Sequence, residues 1–160
     1  MVSEMERIKT TVTEYLDERQ MKYEIKYHSK PVFTSEEAAT ERGVNLSQVV
    51  KTMVLTDSSQ IMLAVLPANR RLDLKKARKM TGSKNLQFAS KDLIENRFGL
   101  VIGAIAPFGN KFEGIAVYVD SAIFDEEVLD ISSGDPRAGL ELHRDTLRTL
   151  LGPATFCEIT

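Results

Sequence analysis

The sequence has a single cysteine, Cys157, which excludes an internal disulfide and any cysteine-based metal cluster. That residue lies in "ATFCEI", which alternates like a C-terminal strand, so a packed thiol is expected there rather than a nucleophile. Histidine is nearly as scarce. His28 and His143 stand far apart, with no HxH or HExxH spacing, which argues against a catalytic metal site. Long hydrophobic runs are missing too: "VVKTMVL" and "LVIGAIAPF" are short and interrupted, and neither spans a bilayer. The opening "MVSEMERIKTTV" is charged and has no apolar centre, so no secretory signal is read and a cytoplasmic protein is expected. Neither sign of charge dominates, since 21 basic and 23 acidic side chains leave a net charge of −2, which is no footprint of a protein that wraps duplex DNA.

The chain has 160 residues, 42% of them hydrophobic and 28% charged, which is enough to build one domain, 1–160, around a real core. Residues 4–20 place Met5, Ile8, Val12, Tyr15 and Leu16 at helical spacing. "KYEIKYH" alternates as a strand, and "TSEEAATERG" predicts a short helix capped by Thr34 or Ser35 and stopped by Gly43. "QVVKTMVLTDSSQIMLAVLP" predicts a β-hairpin turning at Asp57-Ser58-Ser59. Asp73 and Ser90 are natural caps for two further helices, closed by Gly82 and Gly99. "GIAVYVD", "EVLDIS" and "ATFCEI" read as strands, and "LELHRDTLRTLLG" as a short strand running into a helix. Strands and helices mix without strict βαβ alternation, which predicts an α+β fold: a mixed α/β barrel-like sheet with helices packed outside.

Within this frame one residue is out of place. Lys51 interrupts the strand "SQVVKTMVL", sharing a face with Val49, Met53 and Leu55. A buried ammonium must pair, reach an edge or lose its proton, so Lys51 either snorkels to water or points into a pocket that awaits an anionic or carbonyl group. Residues 69–84, "NRRLDLKKARKMTGSK", hold seven lysines and arginines and one acid. They form either a solvated helix face or a phosphate-contacting surface. "GAIAPFG" lacks the marks of a P-loop or a dinucleotide fold, yet Gly103 and Gly109 around a proline suit either a bent strand or a loop that presents free N–H groups to a carbonyl oxygen. "ISSGDPRAGLEL" reads as a glycine turn followed by Glu141.

In order and spacing, "VVKTMVL", "LDLKKARKMTG", "GAIAPFG" and "SSGDPRAGLEL" resemble the YbaK/ProX family of free-standing aminoacyl-tRNA deacylases, related to the editing domain of bacterial prolyl-tRNA synthetase. The resemblance runs from about "TSEEAA" to "FCEI". It implies the YbaK/prolyl-tRNA-synthetase-associated domain fold and hydrolysis of mischarged aminoacyl-tRNA without a cofactor or metal, as in Cys-tRNA(Pro) or Ala-tRNA(Pro) deacylases. The family's strand lysine falls on Lys51, followed by Thr52. Its GxxxP loop falls on Gly103, Ala104, Ile105, Ala106 and Pro107, its Ser-Gly turn on Ser133 and Gly134, and its pocket aromatic on Phe33. Two departures stand out: Ala104 and Ala106 replace a glycine and a serine common in free-standing members, and Val50 replaces a phenylalanine.

The resemblance thus implies Lys51 and Gly103 as catalytic residues, and Phe33, Thr52, Ala104, Ile105, Ala106, Pro107, Ser133, Gly134 and Glu141 as substrate-binding ones. Arg70, Arg71, Lys75, Lys76 and Lys79 are candidate tRNA phosphate contacts. The implied partners are aminoacyl-tRNA and prolyl-tRNA synthetase or another synthetase, with no DNA and no membrane. The other reading is a non-hydrolytic module that captures an aminoacyl-tRNA 3′ end or an aminoacyl-like small molecule.

Overall fold

A computed structural model describes residues 7–100 and 104–160. The first helix, α1, spans Thr11–Glu18 and is shorter than the apolar spacing predicts. The reason is local: Thr10 Oγ1 accepts from the Thr13 amide at 3.1 Å while Thr13 Oγ1 accepts from the Thr10 amide at 2.9 Å, a reciprocal cap that starts the helix at Thr11. Residues 4–6 of that expectation lie outside the described residues.

Strand β1 (Glu24–Tyr27) leads to helix α2 (Ser35–Arg42), then to the hairpin of β2 (Val50–Thr56) and β3 (Ile61–Pro67). Helix α3 (Leu74–Thr81), the two-residue β4 (Gln87–Phe88) and α4 (Lys91–Phe98) follow. The chain continues through β5 (Ala116–Asp120), β6 (Val128–Ser132), β7 (Ala138–His143), α5 (Arg144–Leu151) and β8 (Thr155–Cys157). Thr34, Asp73 and Ser90 each accept a backbone N–H in the first turn of α2, α3 and α4, and Gly43, Gly82 and Gly99 sit left-handed at the three exits.

The strands divide into a three-stranded sheet, β1-β7-β6, and a five-stranded sheet, β4-β2-β3-β5-β8. A parallel bridge between Val49 and Asp130 connects them. Val50, Val65 and Val119 of one sheet meet Leu129, Ile131, Leu140 and Leu142 of the other, and Val12, Leu16, Leu147 and Leu151 from α1 and α5 close that core. On the far face of β3, Met62, Ala64 and Leu66 pack with Leu55, with Ala77 of α3 and with Cys157. Cys157 is therefore a buried core thiol, and burial pushes its pKa up, as its strand context predicts.

One edge of β2 has a gap that matters for the site. Along one side β2 pairs with β3 from Val50 to Thr56; along the other it pairs with β4 only at Leu55 and Thr56. Between those pairs and the Val49–Asp130 bridge, no strand among the described residues covers Val50 to Met53.

Candidate active site

A cavity of about 210 Å³ opens at this uncovered edge. Ser35, Ala38 and Arg42 recur at helical spacing on one face of α2 and form one wall, with Val32, Phe33 and Thr34 leading into it. Val49, Val50, Lys51, Thr52 and Met53 form the second wall, and Ile105 and Ser132 complete the lining. Successive residues of β2 point to opposite faces, and both faces contribute because the cavity meets the strand edge-on.

Lys51 shares its face with Met53 and Leu55, which pack toward α3. Lys51 lines the cavity, and its ammonium has no hydrogen bond or ion pair among the described residues. Partial burial lowers its pKa; Glu36 nearby opposes that shift and Arg71 adds to it. Thr52, on the other face, has a buried Oγ1 without a hydrogen-bond partner among the described residues. Phe33 stands 57% exposed beside them, an aromatic ring at the rim rather than in the core.

Four of the residues singled out in the sequence thus converge: Phe33, Lys51, Thr52 and Ile105. The other loop residues separate. Ala104 and Ala106 face a second cavity of about 320 Å³ that they share with Gly134, so alternate residues of this loop form the partition between two hollows. Pro107 lines a third groove, beside Tyr15 and Phe108. Gly103 lies outside the described residues.

Ser133 does not line the Lys51 cavity. It is fully buried in its turn, its hydroxyl donating to the carbonyl of Ala138 and accepting from the amide of Asp135. Glu141 is not there either: it sits on β7 opposite Asp130, and Lys26 Nζ lies 3.8 Å from its carboxylate. Glu141 is placed by strand register and Ser133 by the hydrogen bonds of its turn, neither of which sequence spacing alone carries.

Of the polar lining residues, Arg42 was not anticipated in the sequence, and of the two serines in "ISSGDPRAGLEL" it is Ser132, not Ser133, that lines the cavity. The Arg42 side chain is 5% exposed, and its Nη1 lies 4.0 Å from Oδ1 of the fully buried Asp130. Its Nε donates to His28 Nε2 at 3.1 Å, which leaves His28 Nδ1 to carry the proton and donate to the Pro136 carbonyl at 2.8 Å. Both Asp130 oxygens lack a hydrogen-bond partner among the described residues, and burial pushes its pKa up to about 6 against the pull of Arg42. The readable signal was an acid in the apolar strand "VLDIS".

The basic residues of 69–84 fall into distinct roles. Lys76 Nζ donates to the Thr160 carbonyl at 2.8 Å, and Arg70 Nη1 reaches Thr160 Oγ1 at 3.4 Å. Lys75 and Lys79 lie on the exposed face of α3, and Arg71 stands close enough to Lys51 to disfavour its charge.

Residues 29–150 match the family described as the aminoacyl-tRNA editing domain. The chain is 28% identical over 148 residues to the prolyl-tRNA editing protein ProX of Acetoanaerobium sticklandii, an alignment covering 89% of this chain and 90% of that protein. It is 30% identical over 118 residues to the proline–tRNA ligase of Fervidobacterium nodosum, covering 74% of this chain but 20% of the ligase. In fold it matches a solved candidate trans-editing enzyme for prolyl tRNA synthetase with a TM-score of 0.82, at 23% identity, over 96% of this chain and 99% of that one. The chain belongs to the aminoacyl-tRNA editing domain family.

Proposed function

We propose that this protein hydrolyses the ester of mischarged aminoacyl-tRNA in trans, as the name of its ProX relative implies for that protein. The observation that carries the reading is Lys51, unpaired among the described residues, in the wall of a small cavity whose lining surface is largely apolar. Among the described residues none of the lining side chains is a carboxylate, histidine or cysteine, and no lining hydroxyl hydrogen-bonds to Lys51, so no assembled nucleophile–base pair supports a covalent route. An aminoacyl ester suits such a site because it is already activated. Water adds to the carbonyl carbon, the bond to the ribose oxygen breaks, and the water's proton passes to that oxygen, with the terminal ribose hydroxyl as the nearest available relay.

In this scheme the Lys51 ammonium stabilises charge on the carbonyl oxygen or the adjoining phosphate, where partial burial strengthens its effect. Phe33 supplies a ring face for the terminal base at the rim, and the small cavity takes the aminoacyl group. Arg71 continues the positive charge outward from Lys51 toward the backbone phosphates. The partner is the 3′ end of a tRNA, with prolyl-tRNA synthetase or another synthetase as the source of the mischarged species; the likeness to one segment of a proline–tRNA ligase supports this.

The test is deacylation of a panel of mischarged tRNAs by the natural protein and by Lys51→Ala. Loss of a charged hydrogen-bond donor to the transition state is expected to slow turnover by about a hundred- to a thousandfold, with an unchanged thermal transition. Turnover that survives the substitution would return Lys51 to a solvent-reaching surface role.

A further inference from the structure

Beyond the reaction itself, the floor of the Lys51 cavity has a chemistry that an apolar acyl group does not use. Arg42 closes the end of α2, roughly 10 Å along the helix from Ser35. Its guanidinium is held on three sides: Nε by His28, Nη1 toward the Ile131 carbonyl at 3.5 Å and Asp130 at 4.0 Å, and the planar group against the backbone of Gly139. Nη2 has no protein acceptor among the described residues. Beside it Ser132 Oγ accepts the Gly134 amide at 3.1 Å, which leaves its own O–H free to donate. At this end of the cavity the Arg42 and Ser132 side chains therefore offer hydrogen-bond donors, while the Asp130 carboxylate is fully buried.

We propose that Arg42 and Ser132 make the cavity selective for a small aminoacyl group carrying an uncharged hydroxyl, of serine or threonine size. The inference rests on the deacylase reading for the ligand class and extends it to the side chain. The hydroxyl oxygen accepts from Arg42 Nη2 and Ser132 Oγ. A methyl in its place strands those donors in a cavity walled by Ala38, Val49 and Val50. A carboxylate is disfavoured because the guanidinium already has a buried counter-charge in Asp130, and a second anion would meet that charge at close range.

The experiment measures binding of non-hydrolysable 3′-aminoacylamino-adenosine analogues, so that it does not depend on turnover. Seryl is compared with alanyl, threonyl with its isostere valyl, and aspartyl is included. The natural protein is expected to bind each hydroxyl analogue about ten- to a hundredfold more tightly than its methyl partner, and aspartyl more weakly than seryl. In Arg42→Leu/Asp130→Leu, which replaces the ion pair with apolar side chains, the seryl-to-alanyl and threonyl-to-valyl ratios are expected to fall toward one. Arg42→Lys keeps the charge opposite Asp130 but loses the planar fork, and it reports the same fall if the double variant does not fold. Equal ratios in the natural protein, a preference for aspartyl, no analogue binding, or a preference that survives both substitutions would each overturn the inference and leave Arg42 and Asp130 a structural pair. A hydroxyl preference in binding without deacylation of the matching mischarged tRNA would uphold the pocket and overturn the hydrolase reading.

Discussion

Gly139 shows how much a single hydrogen atom can decide at the residue scale. A Cβ built there runs into Cζ, Nε and Nη2 of Arg42, so any larger residue would push the guanidinium off β7 and away from His28 and Asp130. The backbone of Gly139 does not need a left-handed conformation; the constraint is purely one of space. Gly139→Ala is therefore expected to destabilise the fold by about 1–3 kcal/mol, the usual range for overpacking, as read by denaturant unfolding. Adding it to an Arg42→Ala background should cost less than half as much, because the clashing group is gone, and equal costs in the two backgrounds would place the clash elsewhere. Lys51 was legible in the sequence because it breaks an apolar run. Arg42 was not, because an arginine in the last turn of a helix reads as a solvated cation that complements the helix dipole, and its partner Asp130 is brought near only by the pairing of β6 with β7.

At the scale of elements, the helices were the most legible part. Their caps and stops are settled by contacts within a few residues, and Thr34, Asp73 and Ser90 with Gly43, Gly82 and Gly99 do what their positions suggest. β4 escaped because two residues carry no period. The loop after α4 was read as one unit, whereas its alternating residues serve two different cavities. For α3 and its approach, the structure divides the basic residues by what already occupies them. Arg71→Gln is expected to reduce the slope of log affinity against log salt for tRNA by about 0.7, the value for one single-strand phosphate contact. Arg70→Gln and Lys76→Gln, whose groups are engaged with Thr160, should change it less. A salt titration in which all three variants behave alike would assign the whole run to a solvated surface.

Across the whole molecule, the two sheets meet where the charge is buried. Asp130 belongs to β6 and bridges to Val49 just before β2, with Arg42 of α2 on one side and Glu141 and Lys26 of the three-stranded sheet near enough to raise and lower its pKa in turn. Burial outweighs the cations, so the folded pKa, about 6, exceeds the ordinary 3.8. Between those values the folded protein binds more protons than the unfolded chain, so the Asp130 contribution to stability is greatest below the ordinary pKa and is lost as pH rises through the folded one. The stability of the natural protein relative to Asp130→Asn should accordingly decline from about pH 4 to about pH 7 and level off above, as followed by chemical denaturation. A flat or rising difference would mean that Arg42 fully compensates the carboxylate. None of this long-range arrangement was readable from periodicity. The mixed α+β class was, because it depends only on the kinds of element and their order.

The uncovered edge of β2 carries a liability as well as a site. Unpaired N–H and C=O groups in a row are a template on which a strand of another molecule can grow, and proteins ordinarily blunt such edges with charge or cover. Here the same groups that shape the cavity perform that guard duty: the α2 wall and Ile105 cover the gap, and Lys51 sets a charge on the exposed strand. Enlarging the pocket to admit bulkier acyl groups by trimming Ile105 or shifting α2 would therefore also strip the strand of its shield. If this cavity takes the acyl group as proposed, its size and the resistance of the β2 edge to self-association are coupled, and a broadened variant is expected to lose solubility before it loses chemistry.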